Sequence, residues 1–330
     1  MRPPFLIIAA SIWAAPLAAD PLRDMAVEYF GPLPTMVPEI EGNPATEEKV
    51  ALGHALYFDT RLSGSGQASC NGCHSLADGG DDGLATAIGP DGQAGLRNTS
   101  TILNAVLNES HFWDGRDVDL EAQVDGPIKH GLSLLNAPEA IVAVLAASPG
   151  YTAMFTAAFP GEADAVTYDN ATRALEVFSA TLLTPGPFDA WLGGDDAALT
   201  DVQKAGLQVF MDQGCSFCHY GPNLGGAGYY PLGLVEKPAA DVLSSDEAAQ
   251  FAVAETSAEE FIFRTAPLRN SAVTGPYFHS GKVGDLSVAV GIMAENQLGS
   301  PLAPEDIAAV VAFLDSLTGT PPVVEAPVLP

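Results

Sequence analysis

Two five-residue stretches hold the side chains most able to do chemistry: Cys70-Asn71-Gly72-Cys73-His74 and Cys215-Ser216-Phe217-Cys218-His219. They contain all 4 cysteines of the 330-residue chain and two of its 6 histidines. In an exported chain four cysteines ordinarily read as two disulfides, and a Cys-x-x-Cys in a βαβ setting reads as a redox pair. A zinc ion shared by both pairs needs them close in sequence, and they are not. The histidine that follows each second cysteine selects another chemistry. In Cys-x-x-Cys-His each thiol adds to a vinyl group of a haem, and the adjacent imidazole is held beneath the iron as its proximal ligand. The sequence therefore predicts two covalently bound haems c. Cys70 and Cys73 tether one and Cys215 and Cys218 the other, with His74 and His219 on the irons.

Such motifs need elements to position them. From Glu47 the run EEKVALGHALYF repeats apolar residues at helical spacing, and DVQKAGLQVFMD does so again before the second motif. Setting Gly53 against Gly206 aligns GHALYFD with GLQVFMD, and each helix leads into its cysteine pair, the first through the extra segment TRLSGSGQ. This is a tandem repeat of long period. Thr200 is the candidate N-cap of the second helix, expected to act without a reciprocal capping-box partner. Proline and glycine in LLTPGPFDAWLGGDD interrupt a helix around Glu176 and put the boundary near Pro185. Alternating β patterns are scarce, so the expected fold is mainly α with long loops. Residues 20–45 read as an extended arm, PEDIAAVVAFLDSLTG as a closing helix, and TPPVVEAPVLP as a loose tail.

The formal net charge of −28 opposes nucleic acid and anionic lipid as partners and suits a cationic protein. At the start, MRPPFLIIAASIWAAPLAAD carries Arg2, an apolar run from Phe5, and small residues with a cleavage point near Ala18 or Ala19. That is the pattern of a secretory signal peptide, residues 1–19, and it is too short to anchor a mature chain stably. The expectation is a periplasmic protein with no membrane span in its mature part.

From Lys49 to Gly319 the chain resembles the bacterial dihaem cytochrome c peroxidase family, which includes the MauG-type enzymes. The resemblance lies in LGHALYFDTRLSGSGQASCNGCH, GLRNTSTILNAVLNESHFWDGR, LEAQVDGPI, TPGPFDAWLGGD, FRTAPLRNSAVTGPYFHSG and IMAENQLG. It implies two tandem cytochrome c-like domains, 20–184 and 185–330. The N-terminal haem meets peroxide, and the C-terminal haem stores an electron at high potential. Met293 falls where the peroxidases place the second ligand of the electron-storing haem, a soft thioether that favours Fe(II); MauG-type enzymes have tyrosine there. Trp113 matches the tryptophan set between the haems. Asn98, with the carbonyls of Thr274 and Pro276, matches an inter-domain calcium site of hard oxygen ligands.

Two positions depart from the pattern. Pro90 stands where the peroxidases carry a histidine that caps the first iron, so that iron is expected to be open at rest. Ser133 stands where the family has a catalytic glutamate, and a hydroxyl is a poor proton shuttle near neutral pH. Gln123 is retained to orient peroxide. His130 titrates in a useful range and is the candidate proton carrier, or else a ligand that closes the site. Of the other histidines, His54 is expected to be exposed, His111 is a second candidate ligand, and His279 is expected to hydrogen-bond near the C-terminal haem.

The resemblance implies an exported peroxidase that reduces hydrogen peroxide to water with electrons from a small cytochrome c or cupredoxin. The rival within redox chemistry is a MauG-like enzyme oxidising side chains of a partner protein. From another class come an electron-transfer cytochrome and a haem sensor. The oligomeric state is left open, a homodimer included. Mass analysis of the mature protein is expected to find two attached haems, and replacing Cys215 and Cys218 with serine is expected to leave one.

Overall fold

The computed structural model describes residues 20–89, 92–124, 126, 136–240, 242–243 and 261–330. The signal segment, Pro90, His130 and Ser133 lie outside the described residues. The described chain is mostly helical, with one two-stranded antiparallel sheet that pairs Tyr229–Pro231 with Ile262–Arg264.

Two helix pairs form the frame. Glu47–Phe58 packs on Tyr168–Ala180, and Asp201–Asp212 packs on Pro304–Asp315. The first helix begins where the Thr46 hydroxyl accepts from the Lys49 amide, with Glu47 and Glu48 favourably placed in its first turn. It stops where Asp59 turns extended. The second corrects the expectation at Thr200. Gln203 stands three residues on, its Oε1 accepts from the Thr200 amide at 2.9 Å, and the capping box is complete.

Gly53 and Gly206 owe their identity to packing. A methyl group on Gly53 would sit 2.0 Å from the Ala174 carbonyl oxygen, and one on Gly206 would sit 1.8 Å from that of Ala309. The missing side chain lets two helix backbones meet at the same point in each pair. Leu52, Leu56, Tyr151 and Phe155 centre the first core; Trp191, Leu207, Phe210 and Phe313 centre the second.

A second duplication escapes the sequence reading. Asn104 and Asn270 both adopt left-handed backbone (φ 59° and 60°) and each precedes a 3-10 turn. Phe112 and Phe278 repeat that geometry at φ 63° and 64°, and Gly115 and Gly281 at 66° and 60°. Isolated bridges join His111 to Asp117 and Tyr277 to Val283. The two asparagines converge on Thr184: Asn104 Nδ2 donates to its hydroxyl at 2.8 Å and Asn270 Nδ2 at 2.9 Å.

Both chain ends differ from expectation. The arm contains a helix, Pro21–Tyr29, started by the Asp20 carboxylate, which accepts from the Leu22 amide at 3.1 Å. Its Ala26, with Phe30 just beyond, enters the second core, and Arg23 lies over the Trp191 ring. The tail is not loose. Val324 and Leu329 pack on the first core, Arg61 Nη2 donates to the Pro330 carbonyl at 3.2 Å, and His54 Nε2 lies 2.9 Å from the Glu325 carbonyl. His54 is consequently half-buried, stacked on Phe178, rather than exposed. Each of these end segments covers the core of the other half. Among the described residues no single helix is long and apolar enough to cross a membrane.

Substituting alanine for Gly206 forces these backbones apart and is expected to cost about 1–3 kcal/mol. Thermal unfolding would register it as a lowered midpoint, and Gly72→Ala, where a methyl meets open space, serves as the control.

Candidate active site

Each motif is a single helical turn. Cys70–Cys73 forms the first and Cys215–Phe217 the second, the latter opened by Gly214 in the left-handed region at φ 87°. In both, the histidine amide returns to the carbonyl of the first cysteine, at 2.9 Å for His74 and 3.0 Å for His219. The turn thus puts two thiols on one face with an imidazole close behind. All four thiols are unpaired, and among the described residues no three His, Cys, Asp or Glu groups are placed to hold a metal ion.

Burial keeps these groups uncharged. It pushes the Cys70 thiol up to about 12 and Cys215 up to about 11, and it raises Cys73 and Cys218 as well. It lowers His74 and takes His219 down to about 4. A neutral imidazole is the form that ligates iron. His219 Nδ1 lies 3.2 Å from the Leu224 carbonyl, which turns its other nitrogen toward a ligand. His74 Nδ1 is buried without a partner, with the Gly80 and Ser100 carbonyls nearby.

A cavity of about 1720 Å³, open space at its mouth included, adjoins the second motif. Cys215, Cys218, His219 and Met293 line it, together with Trp113 and His279. Its wall is chiefly apolar, yet four buried polar atoms there lack partners among the described residues: Asp81 Oδ1, Arg264 Nε, Thr265 Oγ1 and Ser271 Oγ. Arg264 is 5% exposed, and its Nη1 reaches the neighbouring Thr265 carbonyl at 3.3 Å. A buried cation and two orphaned hydroxyls in an apolar hollow suit a flat apolar ligand that carries carboxylates. With two thiols, an imidazole and a thioether, the donor set fits a haem c.

The first motif adjoins a smaller apolar cavity of about 380 Å³, lined by Cys70, Leu56, Val124, Ile141 and Leu175 among others. His74 is not part of that lining; its buried Nδ1, without a partner among the described residues, and the adjoining thiols are what fit the same group. Gln123 is half-buried on the short Leu120–Val124 helix, one residue from that lining. His130 lies outside the described residues.

Trp113 is fixed at both ends. Its Nε1 donates to the Asn98 carbonyl at 2.9 Å, and its own carbonyl accepts from the Arg264 amide at 2.9 Å. The Asn98 amide in turn donates to the His279 carbonyl at 2.9 Å, and Asn98 Nδ2 donates to Leu84 at 2.9 Å. Asn98, Thr274 and Pro276, far apart in sequence, line the large cavity together. His279 is buried there and stacks on Phe263 with centroids 4.4 Å apart. Sequence reasoning passed over two residues of this wall, Arg264 and Asp81, since a charge in FRT or GGDDG looks like any surface charge until its burial is known.

A family model described as di-haem cytochrome c peroxidase matches residues 47–197. Over 320 residues the chain is 49% identical to the cytochrome c551 peroxidase of Pseudomonas aeruginosa, covering 96% of this chain and 92% of that one. The chain belongs to the di-haem cytochrome c peroxidase family. Membership makes it an oxidoreductase of the peroxidase type that carries two haems c. It is also 39% identical over 288 residues to the cytochrome c551 peroxidase of Nitrosomonas europaea, covering 87% of this chain and 85% of that one. Among solved structures, a MauG-like protein associated with microbial copper homeostasis shares the fold. It has a TM-score of 0.73 and 24% identity, and the match covers 87% of this chain and 95% of that chain.

His111, the second ligand candidate, lines neither cavity. It is 6% exposed, and burial, then the nearby Arg264 guanidinium, take it from an ordinary 6.5 down to about 4. A depressed folded value means the unfolded chain takes up the proton first. This contribution to stability is complete above pH 6.5 and disappears as pH falls toward 4. Thermal melts between pH 7 and pH 4.5 are expected to show a shallower acid loss in His111→Gln than in the unaltered protein.

Proposed function

We propose that this protein reduces hydrogen peroxide to water at the site of His74, with electrons delivered by a small cytochrome c or cupredoxin to the site of His219 and Met293. The observation that carries this reading is the shared cavity in which His219, Met293 and Trp113 stand together. When bound, the haems supply one-electron chemistry at iron. His219 and Met293 are the ligands of the second haem, which pairs an imidazole with a soft thioether and so stabilises Fe(II). His74 holds the first. Position 90 offers a proline, which cannot bind metal, so a haem held by His74 would lack the capping histidine there.

Trp113 is the aromatic bridge. Its indole hydrogen bond ends on Asn98, two residues before the Ser100 carbonyl that lies near the His74 ring, while its indole lines the cavity of His219. Gln123 orients peroxide by its amide. His130 supplies protons in place of the absent glutamate. Reduction of one peroxide takes two electrons and two protons and releases two waters, so the donor is consumed in twofold excess. The tandem helix pairs support two cytochrome c-like domains meeting near Pro185. The N-terminal leader supports a periplasmic location, where an acidic surface attracts a basic donor. Asn98, Thr274 and Pro276 supply oxygens for one calcium ion between the halves.

The MauG-like alternative, oxidation of a partner protein, is the less favoured because position 293 is methionine. Steady-state assay with peroxide and a reduced small cytochrome decides between them. The expected result is oxidation of two cytochromes per peroxide, slowed by about tenfold or more in Trp113→Phe at unchanged haem content. His130→Ala is expected to slow turnover as well, and unchanged turnover would remove it from the mechanism. Failure to oxidise any small donor while partner side chains are oxidised would overturn the peroxidase reading.

A further inference from the structure

One carboxylate in the wall of the large cavity has no role in the account above. Asp81 is 2% exposed, lines that cavity, and its Oδ1 is buried without a hydrogen-bond partner. Among the described residues no cationic side chain pairs with it. Its charged neighbours are alike in sign. Asp82 is engaged by the Thr99 hydroxyl at 2.7 Å and the Leu84 amide at 3.0 Å, and Asp78 by the Ser75 hydroxyl at 3.1 Å. Burial, then Asp82 and Asp78, oppose ionisation of Asp81, offset only in part by the backbone amides of Gly83 and Asp81. A desolvated carboxylate with like charges around it calls for a bound cation.

The backbone shows what stands opposite. A methyl on Gly79 would lie 3.0 Å from the Val273 carbonyl oxygen and 3.2 Å from the Thr274 methyl, and a methyl on Gly281 would lie 2.0 Å from the Ala85 carbonyl oxygen. The segment from 79 to 85 therefore runs along 273 to 281, bringing Asp81 beside the stretch that holds Thr274 and Pro276. Asn98 is pinned to the same strip through Leu84 and His279, and with its Nδ2 committed to Leu84 its Oδ1 is the amide's ligand atom. Asp81, Asn98, Thr274 and Pro276 all line the one cavity.

We propose that Asp81 is an anionic ligand of the cation site between the two halves, joining the amide oxygen of Asn98 and the carbonyl oxygens of Thr274 and Pro276 around a calcium ion. The inference rests on the reading of those three residues as cation ligands, which by itself supplies neutral oxygens alone. Asp81 adds the charge. Hard oxygens in an irregular set, completed by water, suit calcium better than magnesium, which demands a compact octahedron. The ion then ties two loops of the first half to one of the second. Through the Asn98 carbonyl it also steadies the indole of Trp113.

The test is calorimetric titration of the two-haem protein with calcium chloride after chelator treatment. One calcium is expected to bind. Asp81→Asn should weaken binding by at least about tenfold, while Asp78→Asn, which removes a nearby charge but no ligand, should stay within about threefold. Thermal melts should show calcium raising the midpoint of the unaltered protein more than that of Asp81→Asn. Equal affinity in Asp81→Asn and the unaltered protein, or equal losses in both variants, would overturn the assignment of Asp81. No calcium binding to the unaltered protein would instead overturn the underlying cation site. Mass analysis checks that each variant retains both haems. If Asp81→Asn does not accumulate, Asp81→Ser is read in its place against the same limits.

Discussion

The Thr184 hydroxyl, fully buried, accepts hydrogen bonds from the side-chain amides of both Asn104 and Asn270. Its two lone pairs are thereby used, and the remaining amide oxygens are also engaged: Asn104 Oδ1 accepts from the Thr184 amide at 2.8 Å and Asn270 Oδ1 from Gly319 at 3.0 Å. Each asparagine occupies a left-handed turn that opens the loop leading to Trp113 or to His279. The junction fixes where those loops begin, and with them the faces presented to the two sites. A larger side chain at Gly319 is excluded by the same contact, since a methyl there would lie 2.0 Å from the Thr184 carbonyl oxygen. Buried amides left unsatisfied would cost about 1–3 kcal/mol each, so the arrangement is held as a unit.

Two buried arginines show how the molecule separates scaffold from site. Arg269 is partnered at all three nitrogens: its two terminal nitrogens reach Asp189 at 2.7 and 2.8 Å and its Nε reaches the Pro222 carbonyl at 2.5 Å. Asp189 also receives the amides of Leu33 and Gly186, so this pair staples the N-terminal arm and the linker to the second half. Arg264 is its opposite, a buried guanidinium whose Nε finds no partner among the described residues. A protein core does not leave a charge in that condition without a ligand to meet it. Together with the orphaned hydroxyls of Thr265 and Ser271, Arg264 marks the cavity as one shaped for an acidic cofactor.

Much of this was legible in the residues. The two Cys-x-x-Cys-His motifs dictated covalent haem, and the alignment of Gly53 with Gly206 foretold two equivalent helices, because a short motif and a helical period are local properties. One misreading was local, the Gln203 that stands three residues after Thr200; the others were of tertiary origin. Helix Pro21–Tyr29 hides among prolines; Asp20 caps its start, and its packing on the second core, with Arg23 over Trp191, holds it in place. The tail VVEAPVL has no periodicity and is ordered by a surface belonging to the other end of the chain. The repeat of HFWDG and YFHSG lay in plain sight, yet its similarity is one of backbone angles more than of side chains.

What the sequence determined unaided was the chemistry: thiols and imidazole at fixed spacing commit the chain to two tethered haems wherever the motifs come to rest. Which residues face those haems was decided by the tertiary structure. Burial turned Arg264 and Asp81 from ordinary charges into unpaired ones, and the close passage of 79–85 along 273–281 gathered Asn98, Thr274 and Pro276 from both halves of the chain. The physical reason is that desolvation and long-range contact depend on what surrounds a group, and linear order records neither.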